Sequence, residues 1–246
     1  MATALTYRLN FVMSMIITLG FNILFPLVTI LIYGAGSGFP GWTFYEVLLI
    51  QSVYTLSLGF ACILFSNMFW ATMNHIREGS FEVVLLRPIN PLFFLIATNF
   101  DTGSFGLVIG GGVLFGISIA NVTIVSPAAA IPLFLILFAA GFAVMAGMQM
   151  IMSAASFKWV GNSRLTDIFD SIMTFGKYPL NIFPQALKGI ATFIIPVGMI
   201  GFFPASALLG RVEPAALLAV IPCVLFMFFG IWLYQHMIRL YEGVGG

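Results

Sequence analysis

Charge is what this sequence has least of. Only 7% of its 246 residues are Asp, Glu, Lys or Arg, against about a quarter in ordinary soluble domains. None occurs from Leu9 to Tyr45, from Val47 to Asn74, or from Thr102 to Phe157. Such gaps exclude a soluble surface. Cysteine is almost missing as well: Cys62 and Cys223 stand far apart, at neither disulfide nor metal-ligand spacing, and read as packing residues. A net charge of +1 with no basic stripe leaves no footprint for a phosphate backbone, so nucleic acid is not an expected partner. Alternation at strand period is absent too, which removes a β-barrel.

What fills the gaps is apolar: 61% of the chain is hydrophobic. A helix needs about 20 such residues to cross the hydrocarbon layer, and several runs reach that length. The expected fold is an all-α membrane protein, a bundle of six transmembrane helices in one domain over 1–246, surrounded by lipid. Spans are expected near 9–33, 47–73, 97–120, 128–155 and 214–237. The first is too long for a signal-peptide core and stays as a span. Between them lies 164–206, where 164–178 carries Asp167, Asp170 and Lys177 and the stretch from Leu180 is apolar. The region is interrupted by Pro179, Pro184, Pro196 and Pro204. Prolines at that density predict a broken or re-entrant segment before the last helix, tolerated where protein rather than lipid surrounds it.

Arg and Lys set the expected orientation. With the N-terminus in the cytoplasm, Arg8, Arg77, Arg87, Lys158, Arg164 and Arg239 fall inside, while Lys177, Lys188 and Arg211 fall outside or within the membrane. That asymmetry predicts both termini in the cytoplasm and an even number of crossings.

The few charges are bunched. His75, Arg77, Glu78, Glu82 and Arg87 form one knot, closed by Arg87-Pro88 and Asn90-Pro91. Ile76, Phe81, Val84, Leu85 and Ile89 alternate with them at a spacing that predicts a short amphipathic helix stopped by Pro88. Two readings stand side by side: a snorkelling interfacial linker, or an element that docks a soluble partner. Mixed-sign charge on a short helix suits protein contact better than lipid, which favours net positive segments.

A second group, Arg164, Asp167, Asp170, Thr174 and Lys177, recurs at three- and four-residue spacing and falls on one helical face. The group either neutralises itself through pairs such as Arg164–Asp167 and Lys177–Asp170, or lines a translocation path. A cationic or zwitterionic guest would suit its two aspartates. The third span repeats the Gly-x-x-x-Gly spacing at Gly106/Gly110 and Gly112/Gly116, which predicts close helix contact. Asp101-Thr-Gly103 imitates an aspartic protease signature, but no second copy exists to share the proton, so Asp101 reads as a cap or a membrane-surface carboxylate. His75 and His236 lack partners at metal-ligand spacing.

The run Arg77-Glu-Gly-Ser-Phe-Glu82, Leu85-Leu-Arg-Pro88 and Asn90-Pro91 resembles the signature of a bacterial family of type-2 ABC exporter permeases. Tyr178-Pro-Leu180, Ile182-Phe-Pro184, Phe193-Ile-Ile-Pro196, Phe203-Pro-Ala205 and Leu208-Leu-Gly210 resemble the same family, and the likeness extends over nearly the whole chain. The resemblance implies a permease subunit in the bacterial inner membrane whose first cytoplasmic loop docks a separately encoded ATPase. On this sequence the docking element maps to Arg77, Glu78, Gly79, Ser80, Phe81, Glu82, Arg87 and Pro88. It further implies re-entrant helices on the outer side and a second permease chain, related but different, completing a heterodimer.

A phosphate-binding loop needs Gly-x-x-x-x-Gly-Lys followed by Ser or Thr. The one Gly-Lys pair, Gly176-Lys177, has Ser171 in place of the first glycine and Tyr178 after it. No cofactor is therefore expected on this chain; ATP and magnesium would sit on the partner ATPase, and the chain itself is not expected to be an enzyme. The alternative is a stand-alone secondary transporter or channel using the Arg164–Lys177 stripe. Internal inverted repeats would favour it, and none is visible.

Overall fold

The computed structural model describes residues 2–159 and 164–241. The remainder of the 1–246 domain expectation, and the side chain of Arg8 counted in the charge asymmetry, lie outside the described residues. Among those described, every regular element is helical. Among the described residues five helices are long and apolar enough to cross a membrane: α1 (Ala2–Gly34), α2 (Phe44–Arg77), α5 (Phe105–Ala120, entered through a 3₁₀ turn at Thr102–Ser104), α6 (Pro127–Ala155) and α11 (Val220–Arg239). The bent pair Gln185–Ile194 and Val197–Leu208 makes six if counted as one span. Short helices connect them: α3 (Phe81–Leu85), α4 (Pro91–Thr98), α7 (Arg164–Thr174), α8 (Gln185–Gly189), α9 (Phe202–Leu208) and α10 (Pro214–Leu218).

Helix α2 is the axis. It is buried for most of its length and packs on α5, α6, α9 and α1. It starts in a capping box: Thr43 Oγ1 accepts from Glu46 N, and the Glu46 carboxylate accepts from Thr43 N at 2.8 Å. Its polar side chains point to different neighbours. Gln51 donates to Thr29 Oγ1 of α1 at 2.7 Å, Ser57 donates to the Ile200 carbonyl at 3.0 Å, and Thr72 shares a 2.9 Å bond with the Tyr234 hydroxyl of α11. Away from water such bonds are costly to leave unmade, so they fix the register between helices.

Small residues set how closely the helices cross. A Cβ built on Gly230 of α11 would lie 2.6 Å from the Gly147 carbonyl oxygen of α6, so this crossing requires glycine. The two Gly-x-x-x-Gly pairs of α5 divide. Gly106 and Gly110 face Met15 and Leu19 of α1, whereas nothing lies within 4 Å of a Cβ at Gly112 or Gly116.

The prolines break the segment before α11 as their chemistry dictates. Pro184 caps the start of α8, which runs on as a π turn to Ile194. Pro196 stands at a 77° bend between Gln185–Ile194 and Val197–Leu208. Pro204 occupies the first turn of α9, where its missing N–H is no loss. Pro179 precedes a single 3₁₀ turn. Every residue of α9 is buried, but no residue of α8 is, and Ile190, Phe193 and Ile194 of the π turn are exposed. Protein encloses the second half of the broken segment and not the first, contrary to what the sequence predicts for the whole of it.

The two glycine sites predict opposite outcomes. Gly230→Leu should cost about 1–3 kcal/mol by overpacking, seen as a lowered melting temperature of the purified protein in detergent. Gly112→Leu on the same chain should stay within about 0.5 kcal/mol.

Candidate functional site

Charge collects at two places, the loop after α2 and the face of α7. The first is built by a helix stop. Gly79 adopts φ +67°, a left-handed conformation that favours glycine, and Ser80 N donates to the His75 carbonyl at 2.9 Å. His75 Nδ1 and Ser80 Oγ add a 2.8 Å bond across the same turn. His75, Ile76 and Arg77 thus end α2 rather than start the next helix. The helix that follows covers only Phe81–Leu85 and closes before Pro88, shorter than the sequence spacing predicts. Its apolar face is narrower too: Phe81 and Val84 are buried, while Leu85, Leu86 and Ile89 are exposed.

Phe81 anchors the loop. It is fully buried, with ring centroids 5.0 Å from Phe157 after α6 and 5.2 Å from Tyr241 after α11. Phe157 continues the contact to Tyr234 at 5.6 Å, and Tyr234 is held to Thr72 of α2. One side chain of the loop therefore joins the ends of three long helices. Arg77, Glu78, Glu82, Arg87 and Pro88 are exposed, Gly79 and Ser80 half-buried. The Arg87 guanidinium lies 4.2 Å from the centre of the Phe94 ring on α4, a contact that orients it. Nothing in the alternating pattern singled out Phe81 from Leu85 or Ile89. The separation of the cluster's other rings, at positions 157, 234 and 241, put it beyond local periodicity.

At the opposite end of α2, Arg211 pairs with Glu46 at 2.8 Å and donates to the Gly41 carbonyl at 3.2 Å. Lys188 pairs with Glu213 at 2.7 Å. Both cations that flank the bent segment are thereby tied down.

The α7 stripe is divided by the structure. Asp170, Thr174 and Lys177 line a cavity of about 420 Å³ between α1, α2, α6 and α7; Arg164 and Asp167 are exposed and do not line it. Met145, Met148, Gln149 and Met152 of α6 form the facing wall. Lys177 does not pair with Asp170. Its ammonium lies 3.4 Å from the centre of the Phe25 ring and 5.2 Å from that of Tyr54. The described ion pairs are Lys188–Glu213 and Arg211–Glu46, which leaves Lys177 with aromatic faces and no carboxylate among the described residues. An adjoining cavity of about 170 Å³ shares Phe25, Tyr54, Leu58 and Lys177 and adds Asn22, Gln51 and Thr55. The Gln51 Oε1 is buried without a hydrogen-bond partner.

Asp101 is a cap: Oδ1 accepts from Gly103 N at 3.0 Å and Oδ2 from Ser104 Oγ at 2.7 Å. His236 stacks on Trp232, and Cys223 Sγ donates to the Ala219 carbonyl.

Compared with known families, residues 14–245 match the model described as ABC-2 family transporter protein. No curated protein and no solved structure matches the chain.

The anchoring role of Phe81 has a direct measure. Phe81→Ala should cost about 3–5 kcal/mol, the range for a buried aromatic, and expose 77–91 to limited proteolysis. Leu86→Ala, at a side chain 85% exposed, should change neither.

Proposed function

The chain belongs to the ABC-2 family of transporter proteins, and we propose that it works as the permease half of an ATP-driven exporter, driven by separate ATPase subunits that dock on the 77–91 loop. As a permease it is a membrane transport component and not itself the catalyst; ABC ATPase subunits are its general partners. Family membership supports this reading over the stand-alone secondary transporter.

The observation that carries docking at this loop is the two-sided construction of α3. Inward, Phe81 is gripped by Phe157 and Tyr241, and Phe157 in turn by Tyr234. Outward, Glu78, Glu82 and Arg87 are exposed and fixed on a short, stopped segment. A surface charge on a rigid mount selects a partner by complementarity, and the mount passes displacement to the ends of α2, α6 and α11. A snorkelling linker has no need of such an anchor.

In this reading the loop faces the cytoplasm, both termini lie on the same side, and the bent segment with Pro196 lies toward the outer face of the bacterial inner membrane as a re-entrant hairpin. A second permease chain, related but different, completes the path. The breadth of apolar surface on α1, where Leu9, Met13, Ile16, Leu24, Leu27 and Leu31 are all exposed, supports a partner or lipid along that helix. Within the stripe, Asp170 and Lys177 border the path, while Arg164 and Asp167 stand at its margin.

Affinity purification from native membranes tests the docking. The wild-type chain should bring down an ATPase subunit, and Glu78→Lys with Glu82→Lys should lose it while membrane abundance is unchanged. Transport by the purified chain alone in liposomes, without ATP, would overturn the assignment.

A further inference from the structure

The cavity beside α7 has a chemical pattern more specific than a polar path. Its α7 wall carries two opposite charges, Asp170 and Lys177, on one face. The intervening helix and 3₁₀ turn separate them by roughly 10–12 Å along the axis. Neither neutralises the other directly, because no ion pair within 4 Å joins them. The facing wall on α6 is Met145, Met148 and Met152 with the polar Gln149 among them, and Met173 stands beside Asp170. Methionine is unbranched and polarizable, so it accepts apolar groups of varied shape. At the Lys177 end the smaller cavity offers Gln51, whose buried Oε1 has no donor.

A guest that completes this site must satisfy four demands together. It places an anion at Lys177 and a cation at Asp170. It spans the distance between them with apolar groups against the methionines, and it has an N–H or O–H to offer Gln51. A simple cation meets only Asp170, and a fatty anion meets only Lys177 while passing Asp170 unpaired. Lys177 is half-buried and Asp170 exposed at the cavity edge, so the call for a matching charge is strongest at Lys177, and a guest that carries both charges uses both groups. An extended chain covers about 3.3–3.6 Å per residue, which makes three residues the natural length.

We propose that this cavity binds an apolar zwitterion of short-peptide length, with its carboxylate at Lys177 and its ammonium at Asp170. A volume of about 420 Å³ lies within the roughly 300–1,000 Å³ of small-molecule sites. The proposal rests on the transport reading only for what the site is used for. Binding is measured without ATP, so that loss of peptide binding and loss of ATPase docking remain separate results.

The experiment is equilibrium binding of radiolabelled trileucine to the detergent-purified complex, against N-acetyl-trileucine and trileucine amide. Free trileucine should bind saturably, and each blocked form at least tenfold more weakly. Asp170→Asn should lower affinity for the free peptide about tenfold and abolish the penalty for acetylation while keeping that for amidation. Lys177→Gln should do the reverse. Equal binding of all three peptides to the wild-type protein overturns the proposal without recourse to any variant. So does a loss in both variants that fails to segregate by peptide end.

Discussion

Polar side chains on one deeply buried helix decide how the rest of this chain assembles. Helix α2 crosses the apolar interior carrying Gln51, Ser57 and Thr72, each nearly or fully buried. In water such groups would leave the packing free to slide; in an apolar surround each must meet a partner. Thr29, the Ile200 carbonyl and Tyr234 supply those partners from three different elements. The bonds are individually modest, since a net hydrogen bond contributes about 0.5–1.5 kcal/mol. Their force is in exclusion, because a slip of one turn would strand every one of them. The glycine crossing at Gly147 and Gly230 then brings α11 onto α6 at a distance only a residue without a side chain allows.

With α2 fixed, its two ends acquire different tasks. One end is closed by the capping box and the Arg211–Glu46 pair, with Arg211 also 5.2 Å from the Trp42 ring. The other is stopped by Gly79 and continued into α3. Five residues are too few for a helix to persist alone, so α3 owes its geometry to Phe81 and the aromatic rings around it. The exposed charges of the loop are presented by the same structure that seats Phe81. On the proposed reading, docking and coupling are therefore two sides of one segment.

How much of this could be read from sequence follows from how local each cause is. The all-helical class was legible because charge gaps of span length reflect the solvent directly. The broken segment before α11 was legible because proline acts on its own backbone: Pro196 stands at the 77° bend. The clustering of charge at 75–87 was visible, but its division into an inward anchor and an outward face was not. Phe81 and Ile89 look alike in pattern, and only rings at 157, 234 and 241 tell them apart. The α7 stripe shows the same limit. Helical spacing put Arg164, Asp167, Asp170 and Lys177 on one face, yet the cavity admits only the last two. Where a neighbouring helix ends cannot be read from periodicity. The Glu46–Arg211 pair was hidden for a further reason, since nothing in either residue's surroundings selects a partner so distant along the chain.

The position of the cavity relative to these anchors has a mechanical consequence. Two of its walls, α2 and α6, belong to the firmly packed body that also holds α9 and α11. The other two do not: α1 is largely exposed along its length, and α7 touches the bundle over a short stretch. A seam between a firm body and lightly held helices can change shape at little cost, because few buried contacts have to be broken. The loop is fastened to the firm side, through Phe81 to the ends of α6 and α11. On the proposed docking reading, a push on the loop would displace α2 and α6 together relative to Asp170 on α7, and the spacing between the α6 wall and Asp170 would be the quantity that changes. Of the two charges only Asp170 stands on the lightly held helix, since the turn that carries Lys177 packs on α2 through Gly176 and Tyr54. On the proposed reading, grip on a guest would then depend on the spacing at the Asp170 end. A site placed wholly inside the firm body would bind without responding, and one placed wholly on α1 or α7 would receive no displacement from the loop.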